Sequence, residues 1–465
     1  MLATRGNPAD YNTWEAMGNP GWGFKDVLPY FIKAENMRIE SLKNDSYHST
    51  KGPLSITHLS YHSDLAKAFL EAGEELGHRI GDYNGASQTV FSYFQFTQNK
   101  GRRSSNSRAY LHPRKNLHVR VNSTVTRIVI EGYEAKGVEF EKNGKKFLVK
   151  AMKEVIVSAG AINSPQILML SGIGPKDHLE SLGIDVIKDL KVGYNLQDHV
   201  SLAGLTFVTN ATAEDLQPSC IANNPKYMVD YIENGGGPWQ VPGGNEAVFF
   251  YDPKNPNDPN GLPELELHFS SESPIPEEEV RGFRPDVFNA VFSPIRNNTT
   301  WSMQPILMHP KSRGRILLAS KNPYDKPKLI MNYLQDEEDV TMILKGIHKV
   351  MEISKTKAFQ KFDSHLNKNS VPACKKYQYP SDEYWKCAMR QLTISNYHQS
   401  GTCKMGPEND TDAVVDSNLK VHGILKLRVV DASIMPRVVA AHTNVPTNMI
   451  AEKAADLIKR DYYGR

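Results

Sequence analysis

No uncharged apolar run in this chain approaches the length needed to span a bilayer. Charge of one sign is also missing. The 55 Lys+Arg against 52 Asp+Glu leave a formal net charge of +3, which argues against nucleic acid or an anionic membrane as the main partner. No block of like charge reads as a tail, and there is no internal repeat. Residues 1–20 hold Arg5, Asp10 and Glu15 without an apolar stretch, so no secretory signal is expected there. No G-x-G-x-x-G follows a strand. Gly172-x-Gly174 follows a helix instead, and Asp177 stands where the third glycine belongs. Cysteine is scarce, at four residues. That leaves two readings open: four buried thiols, or a local Cys374–Cys387 disulfide beside free Cys220 and Cys403.

At 465 residues the chain exceeds one small core and predicts two domains or one large mixed one. A hydrophobic content of 40% is ordinary for a soluble globular protein. Glycosylation sequons begin at Asn44, Asn122, Asn210, Asn297, Asn298 and Asn409, and together they suggest an oxidising compartment.

The spacing predicts a helix over 24–34 interrupted at Pro29. A second helix is capped by Ser63 and ended by Gly77, with Leu65, Ala68, Phe69, Ala72 and Leu76 on one face. Residues 119–129 alternate as a strand, and 135–150 read as a hairpin around Asn143-Gly144. The run Glu154–Ser158 fits a strand buried on both faces. It leads to Ala159-Gly160 and then to Ser164-Pro165, expected as N-cap and first residue of a helix. Residues 265–269, 306–308 and 315–319 predict an antiparallel sheet with one wet face. Val340, Ile343, Leu344, Ile347, Val350 and Met351 place a helix over 336–354 across that sheet.

The last seventy residues concentrate the chemistry-bearing turns. Tyr397-His398-Gln399-Ser400-Gly401-Thr402-Cys403-Lys404-Met405-Gly406-Pro407 precedes Leu427–Pro436, and Ala441-His442-Thr443-Asn444-Val445-Pro446 leads into a helical segment. A histidine near neutrality can take the proton of an alcohol while hydride leaves the same carbon. A second one nearby can orient the hydroxyl or stabilise developing alkoxide. With 15 histidines in the chain, a structural role would be the ordinary reading of either alone. Neither has another His, Asp or Glu at i+4 on a helix face, so no metal site is expected. Asp431 caps the next turn or accepts hydrogen bonds from a ribityl chain. Cys403 reads as a small buried filler. The strand–glycine–helix unit at 154–171 could hold a phosphate, although most such turns bind nothing.

Taken together, these segments resemble the glucose-methanol-choline (GMC) oxidoreductase family of flavoproteins, closest to its insect glucose dehydrogenase-like (FAD, quinone) members. Residues 158–175, the His-x-x-Gly-Thr-Cys-x-Met-Gly block at 398–406, and the run from Thr4 to Trp22 carry the likeness. The resemblance implies a mixed α/β (α+β) fold with two parts. One is a three-layer FAD-binding domain, and the other an antiparallel-sheet substrate domain covered by helices. The expected division is 1–200 and 386–465 for the FAD domain, with 201–385 for substrate. The resemblance also implies FAD as cofactor, an alcohol or sugar as donor, and a quinone or oxygen as acceptor. It implies an extracellular location and no nucleic-acid partner.

Residue by residue, it places His398 on the catalytic base and His442 on the second active-site position. Asn444 and Val445 fall on the flavin-facing turn. Asp431 and Ala432 fall beside the phosphate and ribityl portion, Ala159 and Gly160 beside the ADP moiety, and Val125 where the backbone holds the adenine side. Family members open with a strand, a glycine-rich turn and a helix, followed by an acidic residue. That unit is not found in this chain, so the FAD domain is expected to be incomplete at its N-terminus and neighbouring strand edges exposed. Two further expectations stand beside oxidation: a family member without flavin or catalysis, and a lyase on the same fold.

Overall fold

A computed structural model describes residues 1–464 except 112–113, 204, 213–215, 257 and 273–281. Among the described residues the largest element is an eight-stranded sheet, antiparallel throughout. Its path runs Ser364–Leu366, Thr206–Thr209, Thr299–Leu307, Leu265–Ser270, Asn245–Tyr251 and Phe91–Tyr93. Val200–Leu202 pairs with the end of the 299–307 strand, Val200 opposite Leu307, and with Thr393–Ser395 on its other side. The strand at 91–93 draws an N-terminal segment into the sheet that residues 200–395 otherwise build.

Alternation along these strands sorts two buried layers. Ala247, Phe249, Leu267, Phe269 and Met303 face one core together with Leu65, Phe69, Ile343 and Ile347. The helix Glu337–Ile353 supplies much of that cover. Asp336 caps it by accepting from the Glu338 N–H. A Cβ on Gly346 would stand 2.6 Å from the Pro305 side chain, so the helix crosses the sheet at a separation that glycine permits. The helix Asp64–Glu75, capped by Ser63, packs beside it.

The opposite face differs from expectation. It was expected to be wet, yet Glu266, His268 and Gln304 on it are only 0%, 8% and 8% exposed. Val248, Phe250 and Ile306 on the same face join Phe94, Phe96 and Ala440 in a second core. Polar alternation marks the non-greasy side of a strand but does not say whether water or another layer covers it. Here the rest of the chain covers it.

That other layer is built around two parallel strands, Val155–Val157 and Leu427–Val429, with Val155 opposite Leu427. Ile156 between them is 45% exposed, so the expected burial of this strand on both faces holds for one face only. Beside them stands a three-stranded meander, Thr124–Glu131, Glu134–Lys142 and Lys145–Lys150. Asn143 and Gly144, at φ 50° and 70°, form its tight turn as their sequence predicts. Arg315–Leu317 pairs with Lys328–Ile330 in a separate ribbon and does not add a strand to the large sheet. The helix expected to begin at Ser164 starts earlier, at Gly160, and runs to Leu170 through Pro165. Pro29 likewise sits inside a continuous helix, Phe24–Ala34.

The N-terminal turn clamps the C-terminal block. Asp10 closes the capping box of the helix Pro8–Ala16 by accepting from the Asn7 N–H, and the same oxygen accepts from the Ala440 N–H at 2.9 Å. Thr4 Oγ1 accepts from the His442 N–H at 2.6 Å. His309 Nε2 lies 2.7 Å from the other Asp10 oxygen, and its Nδ1 lies 3.2 Å from Glu264. Burial opposes its proton, but the two carboxylates outweigh burial and raise it to about 9. His48, between Asp82 and Glu35, also rises to about 9 against burial. Such histidines stabilise the fold fully below their unfolded value of roughly 6.5. That stabilisation is lost as pH rises through the folded value of about 9. Melting temperature is therefore expected to fall between pH 6.5 and 9.5, and His309→Gln should flatten the decline. A wild-type melting temperature constant over that window would refute the assignment.

Candidate active site

Four chain turns meet around a cavity of about 600 Å³. The strand Val155–Val157 runs into Ala159-Gly160, and its parallel neighbour Leu427–Val429 runs into Asp431-Ala432. Parallel strands that end at one edge bring both turns to the same crevice, where α/β sheets characteristically take ligands. The third turn, 396–399, follows Thr393–Ser395. The fourth is the N-terminus of the helix Asn444–Tyr463.

Gly160 has φ 83°, and a side chain there would meet nothing within 4 Å. The turn therefore needs glycine for its backbone and leaves open space beside it. Asp431 is 5% exposed and spends both oxygens on the protein. Oδ1 accepts from the Ser433 N–H at 2.8 Å, while Oδ2 accepts from the Gly160 N–H at 2.9 Å and from Ser164 Oγ at 2.5 Å. Ser164, expected as a helix cap, instead ties the two turns together by also accepting from the Ala159 N–H. Through Oδ1 Asp431 caps the turn that follows it, one of the two roles read for it.

His398 and His442 lie together, with ring centroids 4.6 Å apart and planes at 84°. Tyr397 before them has φ 58°, a left-handed conformation bulky residues seldom adopt. The His398 N–H donates to Asp198 Oδ1 at 2.9 Å. Asp198 Oδ2 also accepts from Tyr333, Ser395 and Gln399. His398 Nδ1 is 2.9 Å from His199 Nδ1. Burial, reinforced by nearby His442 and His199, holds His398 well below the ordinary histidine value. It is therefore neutral, with a lone pair to offer, at neutral pH.

His442 Nε2 donates to Glu266 Oε1 at 3.0 Å, and His268 Nδ1 lies 3.1 Å from the same oxygen. Burial alone would raise the Glu266 carboxyl. His442 and His268 more than cancel that and keep it well below the usual carboxylate range. Glu266 Oε2 is buried with no hydrogen-bond partner among the described residues. Glu266, His268 and His442 bring one ligand atom each within 4.8 Å of one another, a closeness these hydrogen bonds already account for.

The helix Asn444–Tyr463 meets the cavity at its N-terminus with no side-chain cap from Thr443. Its first-turn N–H groups and dipole thus present positive potential there. Asn444 lines the cavity, whereas Val445 packs into the core beneath it. Val125 lies half-buried on the three-stranded sheet and does not line the cavity. Cys403 is fully buried, as expected for a filler. The residues fit a flavin ring: a crevice at parallel strand ends, a glycine turn with room beside it, uncapped N–H groups and a neutral histidine in one wall.

Sequence reasoning missed Asp198, His199, Glu266 and His268. The only signal for the last two is the alternation at 265–269, which by itself reads as one wet face. Asp198 and His199 sit just before a short strand, with nothing in their spacing to point at position 398.

Two family models described as GMC oxidoreductase match this chain, one over residues 1–201 and one over 310–451. The chain is similar to glucose dehydrogenase (FAD, quinone) of Drosophila pseudoobscura pseudoobscura, 39% identical over 99% of this chain and 72% of the relative. Mouse (Mus musculus) mitochondrial choline dehydrogenase is 36% identical over 99% and 73%. Among solved structures it is similar to pyridoxine 4-oxidase from Mesorbium loti, with a TM-score of 0.81 and 26% identity over 100% of this chain and 82% of that one. An FAD-dependent oxidoreductase from Chaetomium thermophilum gives a TM-score of 0.83 and 26% identity over 99% and 84%.

Proposed function

The chain belongs to the GMC oxidoreductase family, an FAD-dependent group acting on CH–OH donors, and from that premise we propose that His398 is the base that takes the hydroxyl proton. The observation that carries this is a neutral, buried histidine in the wall of the cavity, beside a second histidine fixed by an ionised carboxylate.

FAD, when bound, supplies the acceptor for the hydride. Ala159-Gly160, Asp431-Ala432 and Asn444-Val445 would hold it. His398 accepts the donor hydroxyl proton, because its depressed basicity leaves it deprotonated yet still able to hydrogen-bond. His442, with Nε2 committed to Glu266, has its ring fixed edge-on beside His398 and bounds the space in which the donor oxygen sits. The uncapped N–H groups at 444 and 445 stabilise electron density that arrives in the cavity.

The likeness to glucose dehydrogenase (FAD, quinone) supports a sugar or related alcohol as donor and a quinone as acceptor. On anaerobic mixing, glucose or another alcohol is expected to bleach the flavin absorbance, and benzoquinone to restore it faster than oxygen does. A flavin-loaded protein that no alcohol or sugar bleaches would sink the reading.

We also assign the chain to a secretory compartment. Cys374 and Cys387 form a disulfide, and the six sequon asparagines are all exposed. Denatured, unreduced protein purified from such a compartment should titrate two free thiols, and a titre of four would overturn the assignment. Among the described residues no helix is long and apolar enough to cross a membrane.

A further inference from the structure

His199 is fully buried and takes no part in the chemistry proposed above, yet its ring touches the base. Its Nε2 lies 3.0 Å from the Met308 carbonyl oxygen. A carbonyl only accepts, so Nε2 carries a proton. Neutral His199 then presents a bare Nδ1, and that atom is 2.9 Å from His398 Nδ1. Two bare nitrogens at that distance repel, so the shared proton must sit on His398 Nδ1. The nitrogen left bare on His398 is Nε2, on the far side of its ring from His199.

We propose that His199 is a positioning residue that fixes His398 as its Nδ1–H tautomer and so keeps the Nε2 lone pair available to the donor hydroxyl. The reverse arrangement sets the His199 Nε2 lone pair against the Met308 carbonyl oxygen. A doubly protonated His199 would donate from both nitrogens, force His398 into the Nε2–H form and abolish the base. Burial, with nearby His442 and His309, holds His199 at about 3, which closes that state at neutral pH.

The scaffold fixes the pair. The His199 carbonyl accepts from the Asn396 N–H at 3.0 Å, and Asp198 accepts from the His398 N–H. Adjacent residues thus hold the backbone and the ring of His398. The Met308 carbonyl, at the end of a strand in the large sheet, is the fixed reference that sets both tautomers in turn.

This inference rests on His398 as base, but its test is independent of turnover. In protein labelled with ¹⁵N at histidine, two-bond ¹H–¹⁵N correlation at neutral pH is expected to show His398, assigned by its loss in His398→Ala, as the Nδ1–H tautomer. An Nε2–H pattern overturns the proposal whether or not His398 is the base. Variants give a second reading. His199→Asn keeps an acceptor oxygen near the Nδ1 position and loses the bond to Met308. His199→Gln reaches Met308 and leaves no acceptor facing His398. Substrate-dependent flavin reduction is expected to fall by about tenfold or more in the Gln variant, as when a catalytic histidine is left in the wrong tautomer, and by distinctly less in the Asn variant. Equal losses, or a greater loss in the Asn variant, would make His199 an anchor for the Met308 strand and overturn the proposal.

Discussion

His398→Ala is expected to slow flavin reduction by the donor alcohol by about a thousandfold, within the range that a positioned general base contributes. Donor affinity and fold should change little, because the Asp198 contact that fixes this loop is to the His398 backbone and survives the substitution. The pH profile of the wild-type protein gives a second check. A base works only when unprotonated, so the rate falls as pH drops through its pKa. Burial and the neighbouring His442 and His199 place that pKa well below the ordinary histidine value. Flavin reduction should therefore be flat through neutrality, with its acid limb below roughly pH 6.5. Stopped-flow absorbance measures both quantities. A variant that reduces flavin at the wild-type rate would remove His398 from the mechanism.

Asp431→Ala should damage the site in a different way. The carboxylate accepts three protein hydrogen bonds, from Ser433, Gly160 and Ser164. Alanine strips three donors of their acceptor, and the two that are buried, the Ser433 N–H and the Ser164 hydroxyl, each cost on the order of 1 kcal/mol or more. A loss of about 2 kcal/mol is expected, with the contact between the two turns weakened. The melting temperature should drop, and the protein should purify with less flavin per chain than wild type. Asp431→Asn does not rescue, since an amide has one oxygen where the aspartate uses two. An unchanged flavin ratio with an unchanged melt would show that the cavity does not depend on this clamp.

Local pattern was enough for elements whose neighbours hardly matter. The Asn143-Gly144 hairpin follows from left-handed backbone at two residues. The helix Glu337–Ile353 follows from apolar spacing and the Asp336 cap. His398 and His442 were legible because they lie in blocks whose wording matches a family.

Other features needed the fold. Ser164 reads as a helix cap and is a clamp instead, because the helix already starts at Gly160 and the serine hydroxyl donates to Asp431, 267 positions away. Glu266 and His268 looked solvated because a period of two marks a polar face without saying what covers it. His199 could not be singled out, since its partner is 199 positions distant.

By itself the sequence determined the family, the two histidines and the turns that surround them, because those depend on residue identity and short-range geometry. Only the tertiary structure decided which carboxylate and which further histidine act on them. Burial and hydrogen-bond direction set those roles, and neither exists until distant strands close over one another.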